Sequence, residues 1–179
     1  MPNQNQAKYV PAGTGPMYWG PGDRVSFLAT GADSHGGCFI FEGLTVAGGG
    51  PPPHIHRFED ECFYMLEGTA TFQVGGQTIY AKPGDFIHIP RGTVHSLKND
   101  GVVPTRTVII VSPAGPTGAQ QFFEEAFYPT TDPSAPLPLI TEELVKRMMA
   151  AAAKNGVNRK ARIPADGGAM EARIAAVAT

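Results

Sequence analysis

The segment GGGPPPHIHRFEDECFYMLEG, residues 48–68, places two histidines one residue apart and a glutamate five residues after the second. The three prolines at 51–53 hold the approach to His54 in extended or polyproline geometry and exclude a helix interior. Residues two apart in an extended strand point to the same side, so His54 and His56 share one face. Two adjacent imidazoles make a poor apolar core, but they make one half of a metal site.

Glu61 cannot lie on that face of one straight strand, because it is an odd number of residues from both histidines. A turn or bulge within RFED, residues 57–60, must therefore separate two strands, and Glu61 begins the second. From there Glu61, Phe63 and Met65 point to one side of the strand, and the residues between them point to the other.

A second segment, PGDFIHIPRGTVHSLKN (residues 83–99), contains a further histidine, His95, that follows a turn signal. Pro90 and Gly92 favour a tight turn, which delivers His95 early in the following strand. Adjacent antiparallel strands then allow His95 to converge with His54, His56 and Glu61. Three neutral imidazoles and one carboxylate suit one divalent transition metal ion (Fe, Mn, Co, Ni, Cu or Zn). Such a ligand set leaves one or two positions open for water, O2 or substrate.

The composition narrows the class of protein. Charged residues are 17% of the 179-residue chain, against roughly 25% in an average domain, and Gly (22) and Pro (17) are plentiful. The net charge of −2, without a basic stripe, argues against nucleic acid or an anionic membrane as a partner. The chain opens without an apolar leader, and Cys38 and Cys62 do not make a disulfide framework. We therefore expect a cytoplasmic protein with buried free thiols.

Turn signals divide the chain into three predicted parts. Residues 1–24 form an irregular N-terminal arm, residues 25–113 a β-barrel of short strands, and residues 114–179 a Pro-rich connector with a C-terminal helical tail. Gly75-Gly76, between two strand candidates, predicts a two-residue hairpin. Turns every 8 to 12 residues indicate an all-β, antiparallel barrel or sandwich.

The segment after residue 113 contains one clear helix, TEELVKRMMAAAAKNG (residues 141–156). Thr141 is the predicted N-cap and Gly156 the terminal residue, and Leu144 and Met148 begin an apolar stripe that needs a surface. We expect this helix to pack on the barrel or on a partner subunit and to carry no chemistry. The segment QQFFEEAFYP predicts a helical turn or two, and residues 157–179 a second short helix or a disordered tail.

The two histidine segments resemble the two motifs of the cupin superfamily, and every defining position is present. These are Gly48, His54, His56, Glu61 and Gly68 in the first motif, and Gly84, Pro90, Gly92, His95 and Asn99 in the second. The resemblance implies an antiparallel jelly-roll barrel in which His54, His56, Glu61 and His95 bind the metal.

Within the superfamily, the sequence looks like the single-domain quercetin 2,3-dioxygenase-like cupins. That resemblance implies a metal-dependent dioxygenase in which the flavonol 3-hydroxyl meets the metal and Glu61, the catalytic base, accepts its proton. O2 then opens the heterocycle with release of carbon monoxide. The substrate can also be another phenol or an enolisable diketone. The resemblance further implies a homodimer, with the N-terminal arm as the element that exchanges between barrels.

Two other functions stay open at this point: a cupin isomerase or lyase acting on a small neutral substrate, and a metal-binding protein without catalysis. Residues 25–98 contain only four cations, Arg57, Lys82, Arg91 and Lys98, which argues against phosphorylated substrates. The expected core fillers are Phe27, Phe39, Phe41, Phe63, Met65, Phe72 and Phe86. Some of them must border the metal, so we expect an apolar cavity for an aromatic or apolar substrate.

The two remaining histidines are weaker candidates for functional residues. His35 lies in the loop DSHGG and is expected to be exposed to solvent. His88 alternates with Phe86 and Pro90, so it is a candidate for the barrel mouth and for contact with the substrate or with a metal ligand.

Overall fold

A computed structural model describes residues 7–159 of the chain. Its strands are β1 (Met17–Trp19), β2 (Asp23–Ala29), β3 (Phe39–Thr45), β4 (His54–His56), β5 (Asp60–Glu67), β6 (Ala70–Val74), β7 (Gln77–Ala81), β8 (Phe86–Ile89), β9 (His95–Lys98), β10 (Thr105–Ser112), β11 (Tyr128–Thr130) and β12 (Val157–Arg159). Two helices, α1 (Ala119–Ala126) and α2 (Glu142–Lys154), complete the secondary structure of this region.

The strands form two antiparallel sheets. The larger sheet has seven strands in the order β11-β1-β2-β3-β10-β5-β8, and the smaller has five in the order β12-β4-β9-β6-β7. Sequence neighbours are often separated within a sheet, as expected for jelly-roll connections, and the predicted all-β jelly-roll is confirmed. The Gly75-Gly76 hairpin between β6 and β7 is also confirmed. Both glycines have positive φ (54° and 90°), which the primed hairpin turns require.

The core lies between the two sheets and follows the two-residue period of the strands. In β3, buried and half-buried residues alternate along the whole strand, and Phe39 and Phe41 are fully buried. Phe41 meets Phe123 of α1 edge-on, with ring centroids 5.0 Å apart. The aromatic core of the barrel therefore continues into the first helix.

One expected core filler is wrong. Phe86 is 60% exposed, because β8 turns Ile87 and Ile89 inward and Phe86 and His88 outward. An alternating strand buries only one of its two apolar sets, and the isoleucines occupy the inner one. The other expected core fillers, Phe27, Phe39, Phe41, Phe63, Met65 and Phe72, are all buried.

Helix α2 begins and ends where the sequence predicts. Thr141 is its N-cap, and the hydroxyl oxygen accepts a hydrogen bond from the Leu144 amide at 3.1 Å. Leu144 is fully buried, as the apolar stripe requires. Arg147 holds α2 against the end of α1, since its guanidinium donates to the carbonyls of Glu125 (2.6 Å) and Phe127 (2.9 Å).

Both ends of the described region contain strands that the sequence patterns do not indicate. Strand β1 lies within the segment expected to be an irregular arm, and it pairs with β2 and β11. Strand β12 lies where a helix or a disordered tail was expected, and it pairs with β4; that expectation is wrong for residues 157–159. The rest of the expected tail, residues 160–179, lies outside the described residues. The division into arm, barrel and tail stays a prediction.

Cys38 and Cys62 are free thiols, and both are partly exposed rather than buried as expected. Neither helix of residues 7–159 is long and apolar enough to cross a membrane.

Candidate metal centre

Two neighbouring strands of the smaller sheet and one strand of the larger sheet bring together the four residues predicted as metal ligands. His54 and His56 lie on β4, Glu61 near the start of β5 and His95 at the start of β9, where it pairs directly with His54. All four are buried, and one ligand atom from each lies within 4.8 Å of the others. The change of strand between His56 and Glu61 resolves the odd spacing. The short segment between β4 and β5 lets Glu61 face the histidines from the opposite sheet.

The outer ring nitrogens of the histidines are all engaged. Nδ1 of His54 lies 2.9 Å from the Pro52 carbonyl oxygen, and Nδ1 of His95 lies 2.9 Å from the Thr93 carbonyl oxygen. A carbonyl can only accept, so both imidazoles carry their proton on Nδ1 and present a lone pair at Nε2. Nδ1 of His56 lies 3.2 Å from a carboxylate oxygen of Glu59, which favours the same arrangement.

The inner face of the group has the chemistry that a divalent ion needs. One oxygen of Glu61 lies 2.9 Å from Nε2 of His95 and 3.4 Å from Nε2 of His56. A nitrogen and an oxygen approach this closely either through a shared proton, as a hydrogen bond, or through a metal cation bound to both. Donors bound at about 2.0–2.2 Å to one ion are separated from each other by about 3 Å, which matches these distances. The residues present therefore fit a metal ion held by three imidazoles and one carboxylate.

The electrostatics of the group keep Glu61 ionised. Burial works against the charge of Glu61, but the surrounding histidines outweigh it and lower its pKa to about 2. Burial, together with the imidazoles of His95 and His56, lowers the pKa of His54 to about 3. Burial also disfavours the charged form of His56, yet Glu61 and Glu59 outweigh that effect and raise its pKa. Neutral His54 is ready to bind a metal ion, and Glu61 supplies the negative charge.

A cavity of about 170 Å³ adjoins the group. Its wall on the sheet side includes Val25, Phe41, Phe63, Leu97 and Ile109, and on the helix side Phe122, Phe123, Phe127, Leu144 and Met148. The expectation of an apolar, partly aromatic cavity next to the ligands agrees with this lining. Helix α2 also forms part of the cavity wall, which its apolar stripe alone does not indicate, and the expectation that it carries no chemistry stays a prediction.

The sequence patterns do not predict two carboxyl groups that lie near the site. Glu59 is 2% exposed and contacts both His56 and the start of α1. The sequence feature that could have indicated Glu59 is its position three residues after His56, within the segment that was expected only to form a turn. Asp23 lines the cavity and accepts a hydrogen bond from the Thr45 hydroxyl at 2.6 Å. Burial raises the pKa of Asp23 to about 6, and no sequence signal marks this residue.

The two weaker histidine candidates lie outside the site. The His88 side chain is 50% exposed on the outer face of the larger sheet, 3.9 Å from Asp60, so it does not line the barrel mouth. His35 is exposed, as expected, in a loop where its φ is 54°.

The segment that contains these four residues is similar to known proteins. Residues 44–111 match the family model described as a cupin domain. The chain is 37% identical over 84 residues to quercetin 2,3-dioxygenase of Bacillus subtilis, a match that covers 44% of this chain and 24% of that protein. It is 33% identical over 63 residues to the tetracenomycin polyketide synthase protein TcmJ of Streptomyces glaucescens, covering 35% of this chain and 42% of that protein. The chain thus spans less than half the length of these two curated relatives.

Among solved structures, KdgF from Halomonas sp. is similar, with a TM-score of 0.55 and 17% sequence identity. That match covers 63% of this chain and 97% of the other, and it supports the fold alone.

Proposed function

We propose that the chain is a metal-dependent, quercetinase-like dioxygenase, since residues 44–111 match the family model of the cupin domain. It opens a flavonol or a similar phenolic or enolisable substrate with O2. The observation that carries this proposal is the position of the four buried ligand residues at the wall of an apolar cavity. The ligands are His54, His56, Glu61 and His95, and the ion is one of Fe, Mn, Co, Ni, Cu or Zn.

The three imidazoles and Glu61 hold the ion, and the lone pairs at Nε2 of His54 and His95 are already directed inward by the carbonyls behind them. When bound, such an ion supplies a Lewis acid that favours the ionised form of a substrate hydroxyl and a template that orients it. The protein contributes the fixed ligand directions and a buried setting in which these interactions are strong.

Glu61 is the proposed general base. Its lowered pKa keeps it ionised at neutral pH, so it can accept a hydrogen bond from the substrate hydroxyl. Because a low pKa also makes it a weak base, it would take up the proton only from a hydroxyl that a bound metal ion has made more acidic. The histidines hold their Nδ1 protons in outward hydrogen bonds, which leaves Glu61 as the group in the ligand set that takes up a proton.

The cavity wall favours a flat apolar substrate. Phe122 and Phe123 of α1 approach the cavity from one side, and Phe41 and Phe63 of the larger sheet from the other. None of the described residues that line the cavity is Lys or Arg, so a phosphate group would find no cation there.

A metal-dependent isomerase or lyase acting on a small neutral substrate is the second candidate, and Asp23 is the observation that favours it. A carboxyl with a pKa of about 6 that lines the same cavity could exchange protons near neutral pH. Reactions that move a proton between two substrate atoms use such a second acid–base group. The two candidates differ in one measurable property, the consumption of O2.

The test is metal analysis of protein purified without chelators, followed by an oxygen-electrode assay with flavonols and catechols. The proposal expects about one transition metal ion per chain and O2 consumption that matches flavonol loss. Flavonol turnover without O2 consumption would favour the second candidate. Metal binding without turnover of either kind would leave a metal-binding protein and would overturn the proposed activity.

A further inference from the structure

Glu59 is a buried carboxylate that the proposed reaction does not use. It lies in the short segment between β4 and β5 and is 2% exposed. One of its oxygens lies 3.2 Å from Nδ1 of His56, and the Ala119 amide lies 3.1 and 3.0 Å from the two oxygens. A single side chain thus contacts both a ligand residue and the first residue of α1.

Glu59 is unlike the groups behind the other two histidines. His54 and His95 each face the carbonyl of the residue two places earlier, so the local backbone orients these rings. His56 faces a side chain instead, and its orientation depends on where that side chain is held. If the acceptor at Nδ1 is removed, the proton can move to Nε2, and that nitrogen then has no lone pair for a metal ion.

The start of α1 holds Glu59 in place. The residue before the helix is Gly118, which supplies no capping side chain, and the Glu59 carboxylate accepts from the Ala119 amide in its stead. A Cβ at Gly118 would come within 2.0 Å of a Glu59 oxygen, so the carboxylate packs directly on this glycine. The same helix carries Phe122 and Phe123 into the cavity wall.

We propose that Glu59 is a positioning residue that fixes the ring of His56 for metal binding and ties that ring to helix α1. The inference rests on the metal centre proposed above. As a consequence, both the position of the cavity wall and the affinity for the metal depend on the same carboxylate. A plain helix cap would stabilise α1 without any effect on the metal.

The test compares Glu59→Gln, Glu59→Ala and a control, Gln120→Ala, in the full chain. Gln120 lies in the first turn of α1, and its side chain anchors the helix by accepting from the Gly31 amide at 2.8 Å, whereas the partner of His56 Nδ1 is Glu59. In Glu59→Gln, one oxygen becomes an NH2 group, which must either face the Ala119 amide or point at His56. The oxygen that faces His56 also accepts from the Ala119 amide, so glutamine can keep both contacts only with its NH2 group 3.1 Å from that amide, donor against donor, and without the negative charge.

The readout is the Zn²⁺ dissociation constant, measured by competition with a chromophoric chelator. We expect it to rise about 10–100-fold in both Glu59 variants, the usual effect of losing the partner of a ligating histidine. It should change less than about threefold in Gln120→Ala. Wild-type affinity in Glu59→Gln would overturn the inference, as would an equal loss in Gln120→Ala. If Glu59→Ala does not fold, Glu59→Gln still decides the question.

A second readout reports on the His56 ring itself. In the Zn²⁺-loaded wild type, proton NMR should show a downfield, slowly exchanging Nδ1 proton of His56, bonded to Glu59. That signal should be lost or shifted upfield in both Glu59 variants and kept in Gln120→Ala. Its persistence in the Glu59 variants would contradict the inference. Failure of the wild type to bind any metal would instead remove the proposed function, so the two failures are distinguishable.

Discussion

The proposed metal centre and the cavity wall of this protein are built in different ways. The four proposed ligand residues lie on β4, β5 and β9, within one stretch of 42 residues from His54 to His95. The helical half of the cavity wall comes from α1 and α2, which follow the barrel in sequence. The ligands are set by strand period and turn residues, whereas the wall depends on how two helices pack back on the sheets. Ligand identity is thus a local property of the chain, and cavity shape is a tertiary one.

Among these variants, we expect the largest effect on turnover from a change in the ligand residues, Glu61→Gln. This variant keeps the shape and an oxygen ligand but loses the charge and most of the basicity. We expect part of the metal to be retained and turnover in the oxygen-electrode assay to fall roughly 10²–10⁴-fold. Activity should recover in part as pH rises toward the pKa of the substrate hydroxyl. Glu67→Gln, at the exposed end of the same strand, is the matched control, and full activity in metal-loaded Glu61→Gln would refute the role.

Leu144→Ala tests the wall side. Leu144 is fully buried on α2 and lines the cavity, so its truncation should lower the free energy of unfolding by about 2–4 kcal/mol. Metal content should stay at the wild-type level, because Leu144 contacts the cavity and not the ligands. Met149→Ala, on the same helix but 56% exposed, should have little effect on denaturant unfolding. Loss of metal in folded Leu144→Ala would show that the two regions are not separable.

Strand β12 connects the two regions, because it follows α2 in sequence and pairs with β4. Its removal therefore tests whether the ligand residues depend on the C-terminal segment. The three residues of β12 pair with β4, whereas β4 and β9 share only the pair His54 and His95. Ending the chain after Asn155 should therefore weaken metal binding about tenfold, since it frees the strand that carries two ligands. Ending it after Arg159 keeps β12 and serves as the control. Equal metal affinity in the two truncated proteins would mean that β12 does not hold the ligands.

The smallest effect concerns Asp23. Its pKa is raised from 3.8 to about 6 on folding, so the folded protein binds the proton more tightly and loses stability as pH rises from about 4 to 6. Asp23→Asn removes that penalty while keeping an acceptor for Thr45. The variant should be more stable than wild type by about 1–2 kcal/mol above pH 6 and equal to it below pH 4. A constant difference across this range in thermal melts would contradict the burial argument.

The same contrast explains what could be predicted from the sequence. The spacing of His54, His56 and Glu61 predicted the break between β4 and β5, because a strand repeats every two residues and the odd step required a turn. The Gly75-Gly76 hairpin and the Thr141 cap followed from local backbone preferences in the same way. Such features depend on a few neighbouring residues.

The errors involve partners distant in sequence. Phe86 was expected in the core because it is aromatic, but the pairing of β8 with β5 decides which side of the strand faces inward, and that side carries Ile87 and Ile89. The apolar stripe of α2 showed that Leu144 must be buried, but not that it borders the cavity. Glu59 looked like one more polar residue of a turn, and its role depends on the start of α1, sixty residues later.

The most direct test of the proposed metal site is the metal content of His95→Ala, measured beside that of His88→Ala. The two histidines lie on neighbouring segments, but His95 is 2% exposed within the ligand group and the side chain of His88 is 50% exposed on the outer face. We expect His88→Ala to keep about one metal ion per chain and His95→Ala to lose nearly all of it. Both variants should retain the circular dichroism of the barrel. Full metal occupancy in folded His95→Ala would contradict the central claim.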